Sequence, residues 1–306
     1  MILVGDVGGT RTRLALARRV GEHFEITGIE ASPTTPDIAA KVARFLDGRK
    51  VEAAAFGVAG PVTTERAIRL TNADVTLESD ELARAAGVGQ VVLVNDFRAI
   101  AEAIPQLCAG DVRPCGGGAA VAGEPALVLG PGTGLGTAIA SPDANAWHVI
   151  QGDGGHADLA PVDDEELEVW RQLRRTHGRV SAETVLSGPG LERLYAALAG
   201  RSLDAAGIDA AAWRGEPEAV RAHALFTRWL GRVAGNLALV AGARGGVYLA
   251  GGILPRWSSR FDVAGFRRAF EDKGQYAAWL GAIPSSLITH PNPGLLGLAV
   301  MARARR

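Results

Sequence analysis

Apolar residues along this chain fall in short runs closed by glycine, and the length and period of each run predict the elements. Residues 91–94, Val-Val-Leu-Val, follow Gly87 and Gly89 and read as a strand buried on both faces, as in a parallel sheet covered by helices. A similar run at 2–4 opens the chain, and an alternating stretch at 12–17 follows a glycine turn, so the two form a hairpin. A third strand is predicted at 24–30, a helix over 35–46 closed by Asp47-Gly48, a buried strand at 53–58, an extended piece at 68–72 and a helix over 78–86. These elements form a first α/β domain of about a hundred residues.

The stretch from 105 to 125, rich in glycine and alanine, reads as a linker. Beyond it the opening device recurs: a strand at 126–129, a glycine turn, and a second strand at 137–140. Another buried strand, 247–250, runs into Gly251-Gly252. Residues 217–242 predict a long helix with Val220, Leu225, Leu230, Val233 and Leu237 on its core side, and a last helix is predicted from 295 to 306.

Composition narrows the class. The 306 residues are 47% apolar with a formal net charge of −1, which describes a globular protein without the basicity that nucleic acid calls for. No apolar run approaches the roughly 20 residues needed to span a bilayer, and the first strand begins at Ile2 with no signal peptide before it, so a cytoplasmic protein is expected. Cys108 and Cys115 are too few for a disulfide framework or a four-cysteine zinc site and are expected to be free thiols.

Candidate chemistry sits at the strand ends. Asn95-Asp96 falls at the carboxyl end of the 91–94 strand, the edge where open α/β sheets bind ligands. Asp96 is the candidate catalytic base and Asn95 the amide beside it; the competing reading is that Asp96 only caps the helix that follows. The first turn, Gly8-Gly9-Thr10, brings backbone N–H groups near a phosphate, and Asp6 before it is placed to hold Mg2+, directly or through water. The second turn, Gly132-Thr133-Gly134, repeats this arrangement. Neither turn has the spacing of a dinucleotide fingerprint, and a P-loop is excluded because the only lysines are Lys41, Lys50 and Lys273. Gly251-Gly252 offers bare backbone against which a flat ring such as adenine can lie.

These motifs resemble those of the bacterial ATP-dependent glucokinases. The resemblance rests on Asp6–Thr10 (residues 6–10), Asn95-Asp96-Phe97, the glycine turn 132–136, and the stretches 154–161, 181–190, 249–253 and 292–297, in the family's order from end to end. It implies a two-domain α/β fold of the actin-like ATPase, ribonuclease H-like class with an interdomain cleft: a small domain 1–106 completed by the helix 295–306, and a large domain 107–294. It also implies transfer of the γ-phosphoryl of ATP, with Mg2+, to the 6-hydroxyl of a hexose, glucose above all, with a homodimer left open. In that family the residue matching Asp96 takes the hydroxyl proton, and those matching Asn95, Asp153, His156 and Glu183 bind the remaining hydroxyls. The segment Ser187-Gly188-Pro189-Gly190 positions Glu183. Three positions depart from the pattern: Asp153 stands where the family has Glu, Arg11 where it has Asn, and Val75 where it has Trp three residues after the match to Asn72.

Overall fold

The computed structural model describes residues 1–60, 66–70, 74–143 and 146–304. Its contacts separate two units, Met1–Asp111 with His290–Arg306, and Val112–Thr289. In the first, β1 (Ile2–Val7), β2 (Arg11–Val20) and β3 (His23–Pro33) form an antiparallel meander. Helix α1 (Ile38–Leu46) follows, starting three residues later than the pattern predicts and ending at Asp47, which takes the left-handed conformation. Then come β4 (Ala53–Val58), the short pair β5 (Ala67–Arg69) and β6 (Thr76–Glu78), α2 (Ser79–Ala86), β7 (Val91–Asn95) and α3 (Asp96–Glu102). The sheet order is β3-β2-β1-β4-β7, with β1, β4 and β7 mutually parallel. Asn72 lies outside the described residues.

The second unit repeats this plan. After β8 (Val112–Pro114) come β9 (Ala126–Pro131), β10 (Leu135–Asp143) and β11 (Ala146–Gly152), again an antiparallel meander. Helices α4 (Asp164–His177), α5 (Ala182–Val185), α6 (Gly188–Ala199), α7 (Ala205–Trp213) and α8 (Pro217–Ala241) separate it from β12 (Gly246–Leu249). Then follow α9 (Leu254–Trp257), α10 (Val263–Glu271), α11 (Ala277–Ala282) and β13 (Ser285–Ile288), and α12 (Pro293–Ala304) returns to the first unit. The sheet order β11-β10-β9-β12-β13-β8 matches that of the first unit, with β8 added antiparallel at one edge. The expected linker therefore contains a strand.

Strand periodicity explains the continuous apolar runs. Along β7, Val91 and Leu93 join the core that holds α1 and α2, whereas Val92 and Val94 join the core that holds α3 and α12. Strand β1 divides the same way, Leu3 and Val7 to one face, Ile2 and Val4 to the other. Each apolar side chain is thus covered by a helix layer. By the same alternation Asp6 falls on the α3 and α12 face. Helix α12 crosses α3 at Gly297, where a Cβ would lie 1.7 Å from the Ala99 carbonyl oxygen, so no other residue permits this approach. In the long helix α8, Leu225, Leu230 and Val233 are buried and Leu237 half-buried, but Val220 is 45% exposed. The buried stripe there runs through Ala219, Ala222, Phe226, Trp229 and Val233, at spacings of three and four, and Val220 lies off it.

Candidate active site

In the first unit, Asp96 stands at the end of β7 and is the first residue of α3. The helix cap is Asn95: its Oδ1 accepts from Phe97 N at 2.9 Å and Arg98 N at 3.2 Å, while its Nδ2 donates to the Gly60 carbonyl at 3.3 Å. Capping is therefore done by the neighbour, while the Asp96 carboxylate accepts from the Phe97 amide at 2.9 Å and is also hydrogen-bonded by the Asn95 side chain. Asn95 has correspondingly little left for a ligand. Both lone pairs of its oxygen are used, and the N–H not given to Gly60 lies beside the Asp96 carboxylate.

Burial is the main reason the Asp96 carboxyl is pushed up to about 7; the negative charge of Asp6 adds to it, and the hydrogen bond from Phe97 opposes it. Burial also raises the Asp6 carboxyl, against the pull of Arg13, whose Nη2 lies 3.6 Å from Asp6 Oδ2. Arg13 faces Asp6 across the β1–β2 ladder and also reaches Asn292 Oδ1 at 3.4 Å. The turn between the strands is held by Thr34, which donates its hydroxyl to the Gly8 carbonyl (2.7 Å) and its amide to the Thr10 carbonyl (3.1 Å). Among the described residues, the amides of Gly9 and Thr10 have no partner. Arg11 is exposed.

In the second unit the matching turn is braced differently. Gly132 N donates to the Gly134 carbonyl at 2.8 Å, and the Gly132 carbonyl accepts from Gly188 N, the first residue of α6, at 2.8 Å. The amides of Thr133 and Gly134 have no partner among the described residues. Leu135 N donates to Glu183 Oε2 at 2.8 Å, and a Cβ at position 134 would sit 2.5 Å from that oxygen. Gly134 is glycine to make room for Glu183. Neither Gly9 nor Gly134 has positive φ.

Glu183 lies in α5, which is capped reciprocally by Ser181 and Thr184, and Ser187 Oγ donates to the Glu183 carbonyl at 3.0 Å. His156 Nε2 is 4.0 Å from Glu183 Oε1. The two are brought together because 157–159 runs beside 180–182, with Ala182 N donating to Ala157 O and Leu159 N to Val180 O. Arg179 adds an ion pair to Asp158 and a bond to the His156 carbonyl. Asp153 precedes a single helical turn, Gly154–His156; its carboxylate is exposed and has no partner among the described residues. The buried Thr137 hydroxyl accepts from Gly154 N at 3.0 Å and donates to Gly152 O at 2.9 Å, which fixes this loop. Gly251 has φ +87, and a Cβ there would lie 2.3 Å from the Pro131 carbonyl oxygen; Gly252 meets nothing within 4 Å. Gly251 is thus a packing requirement, and Gly252 presents open backbone.

The sequence profile of the glucokinase family matches residues 3–305. The chain belongs to the glucokinase family. A glucokinase from Chromobacterium violaceum is 40% identical, over 97% of this chain and 88% of that relative. The crystal structure of a glucokinase from an Antarctic psychrotroph is 35% identical with a TM-score of 0.88, covering 99% of this chain and 98% of that one. A family glucokinase of the ROK group from Streptomyces griseus, crystallised with glucose and AMPPNP, is 22% identical with a TM-score of 0.69 over 99% of both chains, which places it in the same fold. That fold is the two-domain, actin-like ATPase fold expected from the motifs. Cys108 and Cys115 are free thiols, the first exposed and the second buried. Among the described residues no helix is long and apolar enough to cross a membrane.

Sequence reasoning did not single out Arg13, Thr34 or Thr137. Each acts across a strand pairing, and only the ladder register, which puts Arg13 opposite Asp6, gives a signal.

Proposed function

We propose that this protein transfers the γ-phosphoryl group of ATP to the 6-hydroxyl of glucose. The observation that carries the reading is the Asp96 carboxyl, released from capping by Asn95 and held near pKa 7, where it can accept a hydroxyl proton at neutral pH. Membership of the glucokinase family and the ATP analogue named for the Streptomyces griseus relative support the substrate and the donor. Phosphoryl transfer asks mainly for alignment and charge stabilisation. The unpartnered amides of Gly9, Thr10, Thr133 and Gly134 are donors for phosphate oxygens, and Gly252 offers its backbone to the adenine ring.

The hydroxyl-binding groups follow from what their neighbours leave free. Glu183 keeps Oε1 for a ligand because Leu135 uses Oε2; His156 Nε2 faces that oxygen, and the Asp153 carboxylate is uncommitted. Asn95 contributes the N–H that lies beside the Asp96 carboxylate. A buried Asp6 carboxylate near enough to raise Asp96, with Arg13 3.6 Å away as its ion-pair partner among the described residues, fits a cation brought in with the nucleotide. Asp6 is the residue to hold Mg2+, directly or through water, and the ion when bound supplies positive charge to the phosphates.

A coupled ADP-release assay over glucose, mannose, glucosamine and fructose tests the reading. Glucose is expected to give the highest kcat/KM. ADP release that no hexose stimulates would exclude it.

A further inference from the structure

The second unit contains a buried acid that the chemistry above does not use. Asp209, in α7, is 3% exposed, and three side chains converge on it. Trp257 Nε1 donates to Oδ1 at 2.8 Å, His223 Nε2 lies 3.0 Å from the same oxygen, and Arg256 Nη2 is 3.3 Å from Oδ2. The His223 ring stacks on the Trp257 indole at 4.2 Å between centroids, and Phe226 meets that indole edge-on at 5.2 Å. A carboxylate that has lost its water must have its lone pairs occupied, and here they are.

Trp257 and Arg256 end α9, a helix of four residues. One turn cannot hold itself in water, so its place is set by the buried Leu254 and Trp257 and by what grips its two ends. At its start, Gly251 rests on the Pro131 carbonyl and Ile253 N donates to the same oxygen at 3.4 Å. At its finish, Asp209 holds the indole. Gly252 lies between the two residues of the first anchor and is joined through α9 to the second, next to the turn whose unpartnered amides are assigned to the phosphates above.

We infer that Asp209, acting through Trp257, is a positioning residue for the nucleotide: it fixes the Gly251-Gly252 backbone at the height that adenine requires. This rests on the assignment of Gly252 to adenine above. Nothing in the cluster touches Asp153, His156 or Glu183, so its loss should be felt by ATP and not by sugar.

Trp257→Phe removes the N–H and keeps an aromatic ring, though a smaller one; Asp209→Asn keeps an acceptor for Trp257 but turns an N–H toward Arg256. Both are compared with Gly252→Val by steady-state kinetics and thermal melting. The expected result is an ATP KM raised about tenfold in Trp257→Phe and less in Asp209→Asn, with the glucose KM and kcat within twofold. Equal changes in both KM values, no change in either, or loss of folding in both variants would overturn the inference and leave the cluster a stability element. If Gly252→Val itself leaves the ATP KM unchanged, it is the adenine assignment that fails.

Discussion

At Asp96 the requirements of chemistry and of folding oppose each other. Its carboxyl is raised from 3.8 to about 7, so the folded state binds this proton more tightly than the unfolded chain does. Between those two values stability falls as pH rises, and above about 7 the full cost of the buried charge is carried. Asp96→Asn removes the charge and keeps the shape. Turnover should fall by about 10²–10⁴-fold, since the amide cannot take the proton. The mutant should also melt above the wild type at pH 8, with the gap closing toward pH 5; a gap that widens on acidification would contradict the burial argument. In the wild type kcat/KM should climb with pH through about 7, as free-enzyme Asp96 loses its proton. Asp153 makes a separate claim. Its exposed carboxylate is one methylene shorter than the Glu its position resembles, and a hydrogen bond to a charged group contributes about 1.5–3 kcal/mol. Asp153→Glu should therefore lower the glucose KM about ten- to a hundredfold. If kcat/KM for glucose instead drops while that for mannose or glucosamine holds, the pocket is shaped for another hexose.

At the scale of elements, the glycine turns differ in what they hold. Val at 134 collides with Glu183 Oε2, so Gly134→Val should raise the KM of both ATP and glucose, rather than that of the nucleotide alone as the turn sequence suggests. Gly132 has open space around its Cα, and Gly132→Val should raise the ATP KM with the glucose KM unchanged. Isothermal titration of each ligand separately would distinguish the two patterns, and identical behaviour would mean that Glu183 tolerates the intrusion. The central strands β1, β2, β4, β7, β9, β10 and β12 and the three glycine turns were legible because period-two burial writes itself as short apolar runs, whereas the strands β6, β8, β11 and β13 carry no such run and were not read. The identity of the α3 cap was not. Asn and Asp cap about equally well, and a one-residue shift in the helix start decides between Asn95 and Asp96. The reason for Gly134 was hidden too, since Glu183 is distant in sequence and its carboxylate reaches the turn only through the fold. Val220 was misplaced because two alanines, Ala219 and Ala222, carry the buried stripe at that end of α8.

The whole molecule is organised around an interrupted first unit. The chain leaves it at Asp111 and re-enters at His290, whose amide donates to the Asp111 carbonyl at 3.1 Å, so exit and entry adjoin. The returning α12 brings Leu295, Leu298 and Met301 onto the face of Val4, Ala55, Val92 and Val94. Burying those three side chains contributes about 4.5–9 kcal/mol, comparable with the ~5–15 kcal/mol by which domains are stable. Residues 1–111 alone should therefore lack a cooperative melt. Joining 111 to 290 by a short Gly-Ser linker should restore one, because the linker closes a gap that a single hydrogen bond already spans. The second unit has its own core and its ends pair directly, Val112 opposite Ile288, so 112–289 should fold in isolation. Circular dichroism melts of the three fragments check this. A 1–111 fragment melting as high as the linked form would show that α12 is dispensable, and would remove the reason for Gly297 at the α3 crossing.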